Sequence, residues 1–219
     1  MKNLRPLLVC LIAGVGGFML LYAHFERSRD SARRSSCGSN LKMIGFGFQQ
    51  YQADYDGHFP LVAVNSKNTV DAARDKNGYL QTSAPKFGWA DAIQPYVKST
   101  SMLHCIQELT RGGQNETSYT EPRNSDYWMN GHLSGVRPKH ITNPANTFLH
   151  GDGDGRDADS TARYSKVGPP TQSYDDRQPI WTERHVGGAN YSFVDGHVKW
   201  LRPNEISVAS DAPYTFSPK

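Results

Sequence analysis

The sequence lacks the patterns that identify most enzyme classes and most nucleic-acid-binding proteins. It contains no G-x-S-x-G, H-E-x-x-H or phosphate-binding glycine loop, and none of its three cysteines forms a C-x2-C pair. The net charge is only +3, and the basic residues are not collected in one aromatic-rich patch. No period of about 20 to 50 residues recurs, which argues against a repeat architecture. We therefore predict no nucleic-acid partner and no enzyme of the classes that these motifs mark.

What the sequence does contain is typical of one loop-rich globular domain. Its 219 residues are enough for a single well-packed core, and 37% of them are hydrophobic. Twenty glycines and 13 prolines separate short apolar pieces such as "SMLHC" and "NTFLHG", which predict short strands. The polar stretch 151–179 predicts an exposed loop. We predict a globular domain over residues 58–219, preceded by separate N-terminal segments.

The first 23 residues predict a membrane anchor. A short basic segment, residues 1–6, precedes the uncharged run "LLVCLIAGVGGFMLLYA" at residues 7–23. A cleaved signal peptide is the alternative, but Leu21-Tyr22-Ala23 is a poor cleavage site, and Tyr22 and Phe25 suit a membrane interface. Either interpretation exports the remainder of the chain. We predict a single-pass protein of the bacterial inner membrane with its globular domain in the periplasm.

Residues 24–57 predict an amphipathic continuation of the same helix. Apolar side chains recur at spacings of three and four residues, which places them on one stripe of a helix. The stripe consists of Cys37, Leu41, Ile44, Phe48, Tyr51 and Tyr55. Gly57 suits the left-handed position after a last turn, and Pro60 prevents continuation. The stripe is best interpreted as the face that packs on the domain core.

The cysteines allow two interpretations. Cys37 and Cys105 would both be exported to an oxidising compartment, where a disulfide would close a long loop and stabilise the fold by about 4 kcal/mol. Two buried thiols are the equally weighted alternative. The missing C-x2-C spacing argues against a cysteine-rich zinc site.

Acidic residues suggest one metal candidate. Asp152 and Asp154 in "HGDGDGRD" have the alternate spacing of calcium ligands, although Arg156 occupies a ligand position and no glutamate completes the set. A solvated acidic turn is the preferred interpretation. An anchored metal-dependent enzyme or glycan-binding module that uses His150, Asp152, Asp154 and His185 is the alternative from another functional class.

The stretch "RHVGGANYSFVDGHVKWL", residues 184–201, predicts a β-hairpin over 190–201. If Asp195-Gly196 forms a two-residue type I′ turn, Tyr191 faces Trp200 and Phe193 faces Val198. These four apolar residues would then share one face of the hairpin. The Asp-Gly pair needs no catalytic role, and the pattern leaves the purpose of His185 open.

Five ordered blocks of the sequence resemble a known family. They are "ARRSSCGSNLKMIGFGFQQYQADYDGHFP", "GWADAIQPYVKSTSMLHC", "YWMNGHL", "ITNPANTFLHGD" and "RHVGGANYSFVDGHVKWL". Together they resemble bacterial pseudopilin-like proteins with a prepilin-type processing-associated H-x9-DG motif, and these are similar to the major pseudopilins of type II secretion. His185, Asp195 and Gly196 occupy the motif positions.

The resemblance implies a pilin-like α+β fold in which a long N-terminal helix, with its first half in the membrane, packs on an antiparallel sheet. It implies export, no catalysis, no cofactor, and assembly with copies of itself or with other pseudopilins through the N-terminal helix. One feature departs from the family. Gly17-Phe18 lies deep inside the apolar run, and Tyr22 stands where prepilins have a glutamate.

Overall fold

One helix dominates the fold. The computed structural model describes residues 4–64, 87–107, 125–153, 165–168, 181–206 and 213–218. Helix α1 runs without a break from Leu4 to Asp54 and is about 77 Å long at 1.5 Å per residue. Asp56 and Gly57 follow it at positive φ, 51° and 75°, so the chain turns away before Pro60.

A mixed five-stranded sheet lies against the second half of α1. The strands are β1 (Ala63–Val64), β2 (Phe87–Gly88), β3 (Tyr127–Asn130), β4 (Phe148–Asp152), β5 (Ser165–Lys166), β6 (Ala189–Phe193) and β7 (Val198–Leu201). The large sheet has the order β5-β3-β4-β6-β7, while β1 and β2 form a small antiparallel pair. Helix α2 (Trp89–Val97) packs beside α1. The α+β class with a long N-terminal helix is confirmed.

The prediction of a purely antiparallel sheet is wrong at one edge. Strand β5 pairs parallel with β3, whereas the other pairs of the large sheet are antiparallel. Strand β5, the next described strand after β4, does not pair with it as a hairpin. It lies on the far side of β3 and runs opposite to β4, which makes it parallel to β3.

The sheet is covered on both faces. Toward α1, the stripe residues Cys37, Leu41, Ile44 and Phe48 are fully buried. The opposite face carries an aromatic cluster in which the Phe148 ring lies 5.0 Å from the rings of three neighbours. These neighbours are Tyr191, Phe193 and Phe216. The C-terminal segment therefore closes the face that α1 leaves open.

The hairpin register differs from the predicted one by a single residue. Tyr191 faces Lys199 and Ser192 faces Val198, because the loop has three residues, 194–196. Of these only Gly196 has positive φ, 92°, whereas a type I′ turn requires two such residues. The predicted common apolar face is therefore wrong, since neighbours along a strand point to opposite sides of the sheet. Tyr191 belongs to the aromatic cluster, and Val198 packs toward α1.

The first half of α1 exposes its large apolar side chains. They are 52% to 68% accessible and comprise Leu11, Ile12, Val15, Phe18, Met19, Leu21, Tyr22 and Phe25. A search of the described residues found no helix that meets the length and apolarity needed to cross a membrane.

Candidate functional site

Four chemically reactive side chains meet between α1 and the sheet. Cys37 stands on the stripe of α1, and Cys105 follows the 3-10 helix Thr100–Leu103. Asp152 is the last residue of β4, and His185 follows the 3-10 helix Trp181–Glu183. We refer to these four residues as the Cys-His-Asp cluster. It joins four segments that are far apart in the sequence.

The cluster is compact and closed to solvent. The sulfur atoms of Cys37 and Cys105 and one imidazole nitrogen of His185 all lie within 4.8 Å of one another. His185 Nε2 is 3.4 Å from Cys105 Sγ and 3.4 Å from Asp152 Oδ2. His185 is 2% exposed, and the other three residues are 0% exposed. A substrate could not reach these atoms without opening the fold.

Backbone hydrogen bonds hold the carboxylate and one thiol in place. Asp152 Oδ2 accepts a hydrogen bond from the backbone N–H of Asn190 at 2.6 Å. Asp126 Oδ2 accepts one from the backbone N–H of Cys105 at 2.8 Å. The second carboxylate oxygen of Asp152, Oδ1, is buried and has no hydrogen-bond partner among the described residues. A buried polar atom without a partner is costly and requires an explanation.

A tight turn aims His185 at the cluster. The backbone of His185 and Gly188 exchanges two hydrogen bonds, of 2.7 and 3.1 Å. Between them Val186 and Gly187 have positive φ, 54° and 74°, as in a type I′ turn. Positive φ is rare for a β-branched residue, so Val186 stores backbone strain here. The Trp200 indole also donates to the His185 carbonyl at 2.8 Å, which fixes the turn on the sheet.

The charges around the cluster perturb its titrating groups. Burial opposes a charge on His185, but Asp152 and Cys105 outweigh it and raise the pKa of the imidazole to about 9. Burial and a hydrogen bond with Cys37 raise the pKa of Cys105. The same hydrogen bond lowers the pKa of Cys37, because Cys37 is its acceptor. The buried Arg184 favours the thiolate form of both cysteines.

The structure separates the residues of the H-x9-DG spacing. His185 belongs to the buried cluster, whereas Asp195 and Gly196 form the hairpin loop at the other end of β6. Asp195 Oδ1 accepts hydrogen bonds from the backbone of His197 at 3.2 Å and from its imidazole Nδ1 at 2.6 Å. Asp195 and Gly196 therefore form a turn, whereas His185 belongs to the buried Cys-His-Asp cluster.

The acidic pair predicted for calcium is only partly described. Asp152 lies in β4 and is fully buried, so the prediction of a solvated acidic turn is wrong at this residue. Asp154 lies outside the described residues, and the calcium site stays a prediction. His150 is directed elsewhere: its Nε2 donates to the Leu41 carbonyl at 2.9 Å, and burial lowers its pKa to about 4. The structure brings Asp152 and His185 together and gives His150 a structural role under α1.

The two cysteines predicted to form a disulfide are neighbours with free thiols. The disulfide stays a prediction. What the sequence did not reveal is that His185 and Asp152 join them, because no short spacing connects positions 37, 105, 152 and 185. One available signal was the place of Cys37 on the predicted stripe, which put its thiol in the core.

Comparison with protein families gives one match. A family described as protein of unknown function (DUF1559) matches residues 26–178, more than two thirds of the chain. The chain belongs to this family. DUF1559 proteins are bacterial and related to pseudopilin-like proteins. The matched part includes three residues of the Cys-His-Asp cluster, and the H-x9-DG stretch lies beyond its end. Comparisons with curated proteins and with solved structures gave no significant match.

Proposed function

We propose that this DUF1559 protein is a non-enzymatic, membrane-anchored, pseudopilin-like protein of the bacterial cell envelope. One observation carries the proposal: a single continuous helix exposes apolar side chains in its first half and buries its stripe on a sheet in its second half. A soluble domain rarely leaves so many large apolar side chains in water, because their burial is worth about 25 cal/mol per Å².

Lipid is the environment that fits the first half of α1. Residues 7–23 carry no charged side chain, and the large exposed side chains at 11–22 cover one side of the helix, while Ala13, Gly16 and Gly17 lie on the other. A helix that is apolar all round belongs in a core or in a bilayer. We place the anchor in the bacterial inner membrane and the globular domain in the periplasm.

The closure of the Cys-His-Asp cluster supports a structural role. Its two thiols and His185 are at most 2% exposed. We assign the 184–201 stretch to the H-x9-DG motif of pseudopilin-like proteins, with Asp195 and Gly196 as a turn. We infer a part in a type II secretion or pilus-like assembly, with copies of the chain or other pseudopilins contacting the N-terminal helix.

Membrane fractionation of the full chain tests the anchor. The double variant Val15→Arg/Phe18→Arg places two charges in the first half of α1, at about 2.5–3.5 kcal/mol each in a bilayer centre. The matched control, Met43→Arg/Phe46→Arg, changes two side chains that are also exposed, 42% and 51%, but lie in the second half. We expect the wild type and the control to stay in alkali-washed membranes and the first variant to be lost from them.

N-terminal sequencing of the membrane-derived chain then shows whether the N-terminus is cleaved, and where. An intact Met1 is the expected result, because Gly17-Phe18 lies inside the apolar run. A start at Phe18 would show prepilin-type cleavage and support the filament route. A start after Ala23 in a soluble fraction would remove the anchor and overturn the proposal.

A further inference from the structure

We infer that the Cys-His-Asp cluster is a structural zinc site, formed by Cys37 Sγ, Cys105 Sγ, His185 Nε2 and the carboxylate of Asp152. Two thiolates, an imidazole and a carboxylate are ligand types that zinc prefers, and structural sites use four such ligands in a closed tetrahedron. The inference is independent of the membrane anchor and goes beyond the proposed function.

Two distances around His185 fit a tetrahedral ion. Zinc bonds of about 2.3 Å to sulfur and about 2.0–2.1 Å to nitrogen or oxygen place a sulfur and a nitrogen ligand about 3.5 Å apart, and a nitrogen and an oxygen ligand about 3.3 Å apart. His185 Nε2 lies 3.4 Å from Cys105 Sγ and 3.4 Å from Asp152 Oδ2. The two sulfur atoms lie within 4.8 Å, and about 3.8 Å would be needed. The atoms that are mutually within 4.8 Å are the two sulfurs and the His185 nitrogen, so the Asp152 carboxylate must move toward the sulfurs to complete the tetrahedron.

A bound ion would explain why these polar side chains are buried together with too few hydrogen-bond partners. A single imidazole nitrogen faces both a sulfur and a carboxylate oxygen, although one N–H can donate well to only one acceptor. Asp152 Oδ1 is buried without a partner among the described residues, which is a second, independent indication of a ligand at this place. Zinc at the centre would accept electron pairs from all of these groups.

The charges balance when zinc binds. Both thiol protons and any proton on His185 pass to solvent, and two Zn–S bonds, one Zn–N bond and one Zn–O bond form. Two thiolates and the Asp152 carboxylate together exceed the ionic charge by one negative charge. Arg184, which precedes His185, is 3% exposed and donates to the Asp126 carbonyl at 3.0 Å, brings a positive charge to this region. Burial without such balance would be prohibitive.

The ion would connect the four segments that form the core. Cys37 belongs to α1, Cys105 to the segment after α2, Asp152 to β4, and His185 to the strained turn before β6. Metal bound only by the folded chain adds its binding free energy to folding. The backbone strain at Val186 is then offset by the zinc bond that its neighbour His185 makes.

Metal content and cobalt spectroscopy of the full chain, purified under reducing conditions, test the inference. We expect about one zinc per chain, and we expect cobalt(II) loading to produce the thiolate-to-cobalt charge-transfer absorption of a tetrahedral site. Cys37→Ser and Cys105→Ser should each lower zinc occupancy at least tenfold at a fixed free-zinc concentration. Asp152→Asn should lower the zinc affinity at least about tenfold, because a neutral amide is a weaker zinc ligand than a carboxylate.

Matched controls separate this site from other metal sites on the chain. Asp154→Asn removes the other aspartate of the predicted calcium pair, and His197→Asn removes a histidine that lies in the exposed hairpin loop. Both should keep one zinc. Zinc lost in Asp154→Asn but kept in a Cys37→Ser/Cys105→Ser double variant would overturn the inference.

Measurements on the wild type alone also test whether the cluster binds zinc, and they do not depend on whether the variants fold. If the wild type is purified without reductant and is zinc-free, and a digest shows the Cys37 and Cys105 peptides joined by a disulfide, this result would overturn the site. A cobalt-loaded wild type without thiolate charge-transfer absorption would do the same.

Discussion

The first half of α1 is the more apolar half, yet its large described side chains are exposed, whereas the stripe of the second half is buried on the sheet. In the first half, Leu11 and Phe18 are 65% and 68% exposed, whereas Leu41 and Phe48 in the second half are 0% exposed. The second half alternates its stripe with polar residues, so one face packs on the sheet and the other faces water. In the first half, residues 7–23 carry no charged side chain. The comparison indicates that burial on the sheet follows the stripe and not the total apolar content.

The largest difference between the halves should appear when one phenylalanine in each half is truncated to alanine. Phe48 stacks on Trp89 at 5.6 Å and touches His150 and Phe59, so Phe48→Ala should lower the free energy of unfolding by about 3–5 kcal/mol. Phe18→Ala removes an exposed ring and should change it by less than about 0.5 kcal/mol. Denaturant unfolding of the detergent-solubilised chain, followed by tryptophan fluorescence, measures both. Equal losses would show that the two halves do not differ in packing.

Glycine substitutions sharpen the comparison with a smaller effect. A Cβ at Gly47 would lie 2.7 Å from Val97 Cγ2, a stiff branched side chain, so Gly47→Ala should cost about 1–3 kcal/mol. A Cβ at Gly45 has only ordinary contacts, 3.8 Å from His150 and 3.9 Å from Ser192. Gly45→Ala should therefore stabilise the domain by up to about 1 kcal/mol through helix propensity. Thermal unfolding distinguishes the opposite signs, and a stabilising Gly47→Ala would refute the close contact between α1 and α2.

The smallest expected difference in unfolding free energy is between two polar contacts, one in each half. Asn40 Nδ2 donates to the His104 carbonyl at 3.1 Å and to the Tyr127 hydroxyl at 3.3 Å, so Asn40→Ala should cost about 1–2 kcal/mol. In the first half, Arg29 pairs with Glu26 at 3.2 Å in solvent, and Arg29→Ala should cost less than about 0.5 kcal/mol. Urea midpoints at low and high salt test the pair, because only the Arg29 contribution should vanish with salt.

Local patterns predicted part of this architecture. The stripe predicted at residues 37–55 was readable because helix contacts repeat every 3.6 residues. Its residues are buried from Cys37 to Phe48, but the prediction is wrong at Tyr55, which lies beyond the end of the helix and is 53% exposed. The hairpin was visible, but its register depended on whether Asp195 adopts positive φ, which residue type alone does not fix. The parallel edge β5 depended on the path of a connection, and the sequence carries no signal for that path.

The candidate site could not be predicted from spacing. Its four residues come from four segments, and each has an ordinary explanation on its own: a stripe cysteine, a second thiol, an acidic strand end and an unexplained histidine. The nearest usable signal was that His185 precedes Val186-Gly187-Gly188, where two residues take positive φ to make a tight turn. Tertiary packing alone brought the sulfur, nitrogen and oxygen atoms together.

The most direct test of the two-halves account is thiol labelling of intact membranes that contain the full chain. In a Cys10→Ser background, the buried Cys37 and Cys105 are shielded by the fold, so one added cysteine at a time can be followed. Phe18→Cys should be protected from a water-soluble maleimide until detergent is added, whereas Phe46→Cys, which replaces a 51% exposed side chain of the second half, should be labelled at once. Equal, rapid labelling at both positions would contradict a first half in lipid.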